Sequence, residues 1–343
     1  MKAIQLVAHG CPGRLELRDV PDPRPAHDEV VVRVRACGLN RLDLWVEAGE
    51  LPISIRLPRT PGCEIAGEVA ALGADVDQWR LGDRVAVQSN SFCGTCEFCL
   101  RGEESNCLNT RLVGVDSDGG FAEKVCVPAR SLVALPEAVE FQTSAALTLA
   151  GSTAMHMLTD RVEVRPGDWV LVVGASSGVG SAAIQIAKQL GARVLATGSS
   201  DSRRELALRL GAESAVDSAL ADWPAEVRRL TGRRGVDLVI EHVGGDVLAR
   251  AFQCLARGGA VVTCGATAGR ELTLKVWPFF VKQQRLIGSY GRNHADFRAT
   301  LEWAADGRLK PVIDRVFPLA ETSRAYAALR ERTVMGKVLI VPE

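Results

Sequence analysis

Residues 170–188 read VLVVGASSGVGSAAIQIAK: an apolar strand, a glycine-punctuated loop and an apolar-faced helix in direct succession. That order opens a parallel α/β unit. Glycine lets the backbone turn sharply beneath a ligand, and a helix starting there aims free N–H groups at an anion. The theme then repeats. WVLVV precedes GSAAIQIAKQL, RVLAT precedes SRRELALRL, ESAVD precedes WPAEVRRLTG, and VDLVIEHV precedes DVLARAFQCLA, before AVVTCG and RLIGSYG. Six short strands with intervening helices predict an α/β fold with a doubly wound, parallel six-stranded sheet.

The first 150 residues have another texture. EVVVRVRA, EIAGEVAAL, DRVAVQ and FAEKVCVP are β-branched runs separated by Pro and Gly, which reads as a compact β-rich domain. The tail ends in the strand-like GKVLIVP. The predicted organisation is a β-rich domain over 1–150, a nucleotide-binding domain over 151–290, and a return to the first domain over 291–343. Two sequential domains with a separate tail fit less well, because roughly fifty residues make a poor independent core.

Gly174, Gly178 and Gly180 punctuate the dinucleotide loop, Val179 opens the helix, and Ser176 and Ser177 add hydroxyl donors. Cofactor choice is read at the end of the second strand, where an NAD site usually carries a carboxylate for the ribose hydroxyls. Here stand Thr197, Gly198, Ser199 and Ser200, followed by Arg203 and Arg204. Hydroxyls and guanidinium suit a 2′-phosphate, which favours NADP(H) over NAD(H). Asp201 is the alternative acid, but Ser202 and Glu205 read as a capping box that assigns it to a helix start. The bland alternative for both arginines is a solvated helix face.

Ten cysteines are present, and four cluster in CGTCEFCLRGEESNC as Cys93, Cys96, Cys99 and Cys107. Four thiolates at this spacing fit a closed tetrahedral zinc site with no position for substrate, within a lobe spanning 91–109. An iron–sulfur cluster and a pair of disulfides are the alternatives. The opening MKAIQLVAHGCPG lacks a charged-then-apolar leader pattern and no apolar run reaches membrane-spanning length. Metal-spaced cysteines in such a chain suggest the reducing cytoplasm. Lys plus Arg and Asp plus Glu both number 41, which gives no footprint for nucleic acid or a membrane surface and leaves a small-molecule substrate.

Taken together, ACGLNRLDLW, PGCEIAGEV, LGDRVAV, the four-Cys lobe, GASSGVG and the terminal GKVLIV make nearly the whole chain resemble the zinc-type medium-chain dehydrogenase/reductase superfamily. The resemblance extends to its alcohol dehydrogenase and quinone oxidoreductase relatives. It implies a GroES-like catalytic domain, a Rossmann domain, and a cleft between them. Zinc-dependent members hold a catalytic zinc through three ligands, and these positions fall on Asn40, Cys63 and Leu149. Asp43 and Glu64, which support the metal in the family, are retained. The family's proton-relay positions fall on Leu42 and Trp45, neither of which carries a proton. Cys63 therefore reads as a remnant, with a rewired site of Cys37, Cys63, Glu64 and Asp43 as the alternative.

A cleft without a catalytic metal still suits acceptors that are already electron-poor, such as quinones and α,β-unsaturated carbonyls. The expected activity is NADPH-dependent reduction of such a group, with Asn40 offering an amide donor or else serving as a turn residue. The resemblance puts Thr153 at the nicotinamide, and Cys264, Gly265 and Ala266 end the fifth strand at the switch-point crevice. Trp45 and Leu149 make the pocket apolar, Tyr290 is a candidate wall, and His156 carries no assigned role. Alternatives are an alcohol dehydrogenase or aldehyde reductase with an altered metal site, and a cofactor-binding protein whose catalysis has decayed. The family pairs subunits through the sixth Rossmann strand, and VWPFFVKQQRLIGSY fits such an edge in a homodimer or homotetramer.

Overall fold

The structure is a computed structural model and describes residues 1–342. Two compact units emerge, Met1–Ser152 with Gly291–Glu343, and Thr153–Tyr290. The helix Ala150–Thr159 runs across the boundary.

In the Thr153–Tyr290 unit, six strands form an all-parallel sheet. In chain order they are Trp169–Val172, Arg193–Gly198, Ser214–Asp217, Val236–Glu241, Leu255–Thr263 and Arg285–Gly288. Their spatial order is third, second, first, fourth, fifth, sixth. The strands Trp169–Val172, Arg193–Gly198 and Val236–Glu241 are buried over nearly their whole length and do not alternate, whereas the edge strands Ser214–Asp217 and Arg285–Gly288 are partly exposed. Leu171, Leu195, Val239 and Val261 pack with Trp223, Val227, Leu248 and Phe252 from the helices. Complete burial of each such aliphatic side chain is worth about 1.5–3 kcal/mol. The first and fourth strands are neighbours whose connections leave in opposite directions. Their carboxyl ends, carrying Gly174 and His242, form the switch point where this fold places its ligand.

The first unit is built on a seven-stranded sheet. Ile313–Pro318, Lys337–Val341, Glu29–Leu39, Glu64–Leu72, Arg84–Val87 and Leu132–Ala134 lie in that order, and Lys124–Pro128 pairs with Glu29–Leu39. Val30, Val32, Val34, Ile65, Val85, Phe121, Tyr326 and Ile340 form its core. The tail strand runs antiparallel to Glu29–Leu39, with Val338 opposite Leu39 and Ile340 opposite Cys37. That register delivers Lys337 to the end of the Glu29–Leu39 strand, where the helix Arg41–Ala48 begins.

Two local expectations need correction. The helix after the second Rossmann strand starts at Asp201, and its N-cap is Ser200, whose hydroxyl accepts from the Arg203 amide at 3.4 Å. The Ser202–Glu205 capping box is not formed, because the strand ends at Gly198 and leaves only one extended residue before the cap. The FAEKVCVP run is a strand only over Lys124–Pro128.

Candidate functional site

The end of the Glu29–Leu39 strand carries a closed polar network of Asn40, Glu64 and Lys337. Glu64 is fully buried. Its Oε1 accepts from the Leu149 and Ala150 amides at 2.7 and 3.0 Å. Its Oε2 accepts from Asn40 Nδ2 at 3.1 Å and pairs with Lys337 Nζ at 2.5 Å. The Lys337 ammonium also donates to Asn40 Oδ1 at 2.6 Å and to the Leu39 carbonyl at 2.9 Å, so all three of its hydrogens have acceptors. Gly38 is required here: a Cβ on it would lie 2.4 Å from both Glu64 Oε2 and the Ala145 carbonyl.

Asn40 is a bridging residue in this network. One amide hydrogen goes to Glu64 and the other to the Gly38 carbonyl at 3.2 Å. The expected donor to a substrate oxygen has both hydrogens engaged within the protein. Asp43 opens the Arg41–Ala48 helix, accepting from the Asn40 amide at 2.8 Å and the Gly62 amide at 3.2 Å. Burial pushes its carboxyl up to about 7 against those two donors. Cys63 is 1% exposed. Burial raises its thiol well above the usual range, and the Asp43 and Glu64 carboxyls add to the effect. At the three positions stand a buried thiol, an amide closed by Glu64 and Lys337, and a leucine. Cys37 is equally buried and its thiol is raised in the same way.

Sequence reasoning missed Arg292. It is 2% exposed, its guanidinium hydrogen-bonds the Ser89 hydroxyl, and its charge opposes the upward shift of the Cys63 thiol. Lys337 was also missed, although a lysine opening the apolar strand KVLIV is a visible anomaly.

The four-Cys lobe is assembled as a metal centre. One sulfur from each of Cys93, Cys96, Cys99 and Cys107 lies within 4.8 Å of the others. Cys93–Cys99 and Cys96–Cys99 sulfur separations are 3.9 and 3.5 Å. A tetrahedron with Zn–S bonds of about 2.3 Å has edges of about 3.8 Å, and a disulfide would need about 2.0 Å. Backbone amides of Thr95 and Cys96 donate to Cys93 Sγ, and those of Cys93 and Asn109 to Cys107 Sγ. The Thr95 amide leads in bringing the Cys93 thiol down to about 5. Burial and neighbouring sulfurs push Cys99 up to about 12, a repulsion that a bound Zn2+ removes. The donor set fits zinc.

The dinucleotide loop is also preformed. Ser177 caps the helix Gly178–Gln189, its hydroxyl accepting from the Gly180 amide at 2.8 Å. Gly174 has φ +71°, and a Cβ on Gly180 would lie 2.3 Å from the Gly174 carbonyl. The buried Thr197 hydroxyl accepts from the Gly174 amide at 3.1 Å, which makes it a brace for the loop. Ser176 is buried, while Ser177, Gly178 and Val179 are half-buried at the helix start. Such a cradle fits a pyrophosphate.

Around it, Glu241 is a further residue that sequence reasoning missed. Its carboxylate accepts from the Val243 and Gly244 amides at 2.5 and 2.7 Å and from the Thr263 hydroxyl at 2.6 Å, pinning the turn after the fourth strand. Cys264, Gly265 and Ala266 follow the fifth strand, and a Cβ on Gly265 would meet the His242 carbonyl at 2.2 Å. Burial pushes the Cys264 thiol up to about 12, so it is neutral. Thr153 is 8% exposed and lies in the Ala150–Thr159 helix. At the second strand's end Ser199 is exposed and Arg203 half-buried. Arg204 is tied to Asp201, to Asp217 at 3.2 Å and to the Gly198 carbonyl at 3.2 Å.

Two family models match: "Alcohol dehydrogenase GroES-like domain" over residues 26–137 and "Zinc-binding dehydrogenase" over 178–306. An alcohol dehydrogenase of Schizosaccharomyces pombe is 30% identical over 334 residues, covering 97% of this chain and 95% of the relative. The chain belongs to the zinc-type medium-chain dehydrogenase/reductase superfamily. A crystal structure of an NAD-dependent alcohol dehydrogenase superposes with TM-score 0.95 at 39% identity, covering 99% of each chain. A crotonyl-CoA carboxylase/reductase in complex with NADP gives TM-score 0.90 at 25% identity, covering 99% of this chain and 94% of that one. This superfamily member is thus an NAD(P)-dependent oxidoreductase with a GroES-like domain and a parallel six-stranded Rossmann sheet.

Proposed function

We propose that the protein is an NADPH-dependent reductase of quinones or enone-type double bonds, working without a catalytic zinc and carrying one structural zinc in the Cys93–Cys107 lobe. The carrying observation is the closed Asn40–Glu64–Lys337 network, with apolar Leu149, where zinc-dependent relatives need three ligands. An alcohol substrate needs a Lewis acid or base to take its proton, whereas a conjugated acceptor spreads the arriving charge over its own oxygen. When bound, the reduced dinucleotide supplies a hydride. The Gly174–Gly180 loop and the Ser177-capped helix hold the pyrophosphate. The Arg292 guanidinium adds positive charge beside Cys63, where the acceptor's oxygen becomes negative.

Three features support NADPH. Asp201 is held by Arg204, Ser199 is exposed, and Arg203 lies in the first turn beside it. A carboxylate free to grip both ribose hydroxyls is not offered at that strand end. Two structural relatives are solved with NADP, one named a crotonyl-CoA carboxylase/reductase and one a putative zinc-binding dehydrogenase. Alcohol dehydrogenation is the second reading, favoured by the names of the 30%- and 39%-identical relatives.

We further propose a cytoplasmic protein that pairs as a homodimer, or a dimer of dimers, through the sixth strand. Arg285–Gly288 ends the sheet with one neighbour, and Trp277, Phe280 and Leu286 near it are 73%, 52% and 42% exposed. The test combines zinc per subunit, in protein purified without added metal, with turnover of a matched enone and alcohol. One zinc and enone reduction are expected. Two zincs with alcohol oxidation would replace this reading by the second.

A further inference from the structure

The switch point holds a histidine that the loop chemistry above does not use. His242 follows the fourth strand, and its Nε2 lies 2.7 Å from Ser177 Oγ. It packs directly on the glycine loop: a Cβ on Gly174 would be 3.2 Å from His242 Nε2 and 3.3 Å from Cε1. Burial lowers its pKa to about 4, so the ring is neutral. One nitrogen then carries the proton and the other accepts.

Ser177 Oγ already accepts from the Gly180 amide at 2.8 Å. Assigning its own hydrogen to His242 Nε2, the ring atom 2.7 Å away, leaves Nδ1 protonated. That Nδ1–H is buried and meets no acceptor among the described residues. A buried donor without a partner is costly, and such groups in folded proteins usually await a ligand or water. His242 stands at the crevice between the first and fourth strands, beside the helix start that receives the pyrophosphate. The turn that carries it is fixed twice, by Glu241 on the Val243 and Gly244 amides and by Gly265 packed on the His242 carbonyl.

We propose that His242 is a cofactor-positioning residue with two separable contacts: Nε2 holds the Ser177 hydroxyl in its capping orientation, and Nδ1–H donates to an oxygen of the bound dinucleotide. Ser177 then acts as the cap alone, and the imidazole takes over the donor role that its hydroxyl would otherwise fill. This rests on the reading of the loop as the dinucleotide site, and deepens it.

The two contacts can be separated, because an Asn amide nitrogen reaches the Nδ1 position and a Gln amide the Nε2 position. NADPH affinity is measured by nicotinamide fluorescence on the full chain, with thermal midpoints in parallel and NADH as a second probe. H242Q keeps the Ser177 contact and loses the donor, so its NADPH Kd rises roughly 10- to 100-fold with little change in the ligand-free thermal midpoint. H242N keeps the donor and stays within about threefold of the native Kd, well inside the tenfold that corresponds to one modest hydrogen bond. S177A lowers the ligand-free midpoint through the lost cap and weakens binding less than H242Q. Equal Kd values for H242Q, H242N and the native chain, all binding NADPH, overturn the proposal while the cofactor reading stands. Equal weakening by Asn and Gln, tracking the loss of thermal midpoint, also overturns it, since His242 would then be structural only. A native chain that binds neither dinucleotide removes the cofactor reading itself and the proposal with it.

Discussion

Replacing Lys337 with methionine tests the central network most directly. The change keeps the length and apolar stem and deletes one buried ammonium. It leaves the fully buried Glu64 carboxylate with the Leu149, Ala150 and Asn40 donors but no counter-ion. The Asn40 Oδ1 and Leu39 carbonyl acceptors lose their partner as well. Breaking one side of a buried ion pair typically costs about 3–5 kcal/mol, and the three remaining donors place this site near 3. In a unit of about 200 residues, that lowers the thermal midpoint by roughly 6–12 °C. Urea unfolding of K337M, E64Q and the double variant measures it. The double variant should recover at least ~1 kcal/mol relative to the sum of the singles, because no charge is then left buried. A K337M chain within about 1 kcal/mol of the native one, or strict additivity in the double, would refute the argument that this pair closes the site.

Three further outcomes follow from the same geometry. Prolonged chelation should release ~1 zinc per chain and open residues 91–109 to protease, with C96S showing the same cleavage untreated; retention of the fold and protease resistance without metal would count against a structural zinc. Burial raises the Asp43 carboxyl from 3.8 to about 7, so the folded chain keeps a proton that the unfolded chain releases. Its contribution to stability is full below about pH 4 and lost as pH rises through about 7, at up to ~1.4 kcal/mol per pH unit. Unfolding of D43N across that window should show a flatter slope, and an unchanged slope would assign the dependence to another group. G180A puts a Cβ 2.3 Å from the Gly174 carbonyl; NADPH affinity should fall at least ~10-fold, measured by fluorescence titration.

Much of this was legible in the chain. The parallel sheet announced itself because short strand-like runs such as WVLVV, RVLAT and VDLVIEHV alternate with helical patterns, and the loop glycines were read one by one. The four cysteines were legible for a similar reason: their spacing lies within 15 residues, and local chain geometry brings the sulfurs together. What escaped was long-range. Lys337 lies 298 residues from Leu39 and was seen only as the start of a strand. Arg292 and His242 looked like ordinary residues flanking a strand, because their partners Ser89 and Ser177 are 203 and 65 positions away. The cap at Ser200 was misplaced because three serines, Ser199, Ser200 and Ser202, stand at that turn. The sheet register decided between them, and composition could not.

The strand Lys337–Val341 has a consequence for how the molecule comes into being. It lies between Ile313–Pro318 and Glu29–Leu39 in the sheet, yet it emerges from the ribosome after every other strand of that sheet. The Thr153–Tyr290 unit contains all six of its strands well before then and can mature during synthesis. The Cys37–Leu39 end of the Glu29–Leu39 strand meanwhile waits with its edge open and Glu64 lacking its cation. A nascent chain paused short of residue 337 would therefore present a finished nucleotide fold beside an unfinished catalytic one. Quality control that senses exposed strand edges would have its longest view of this protein in that interval.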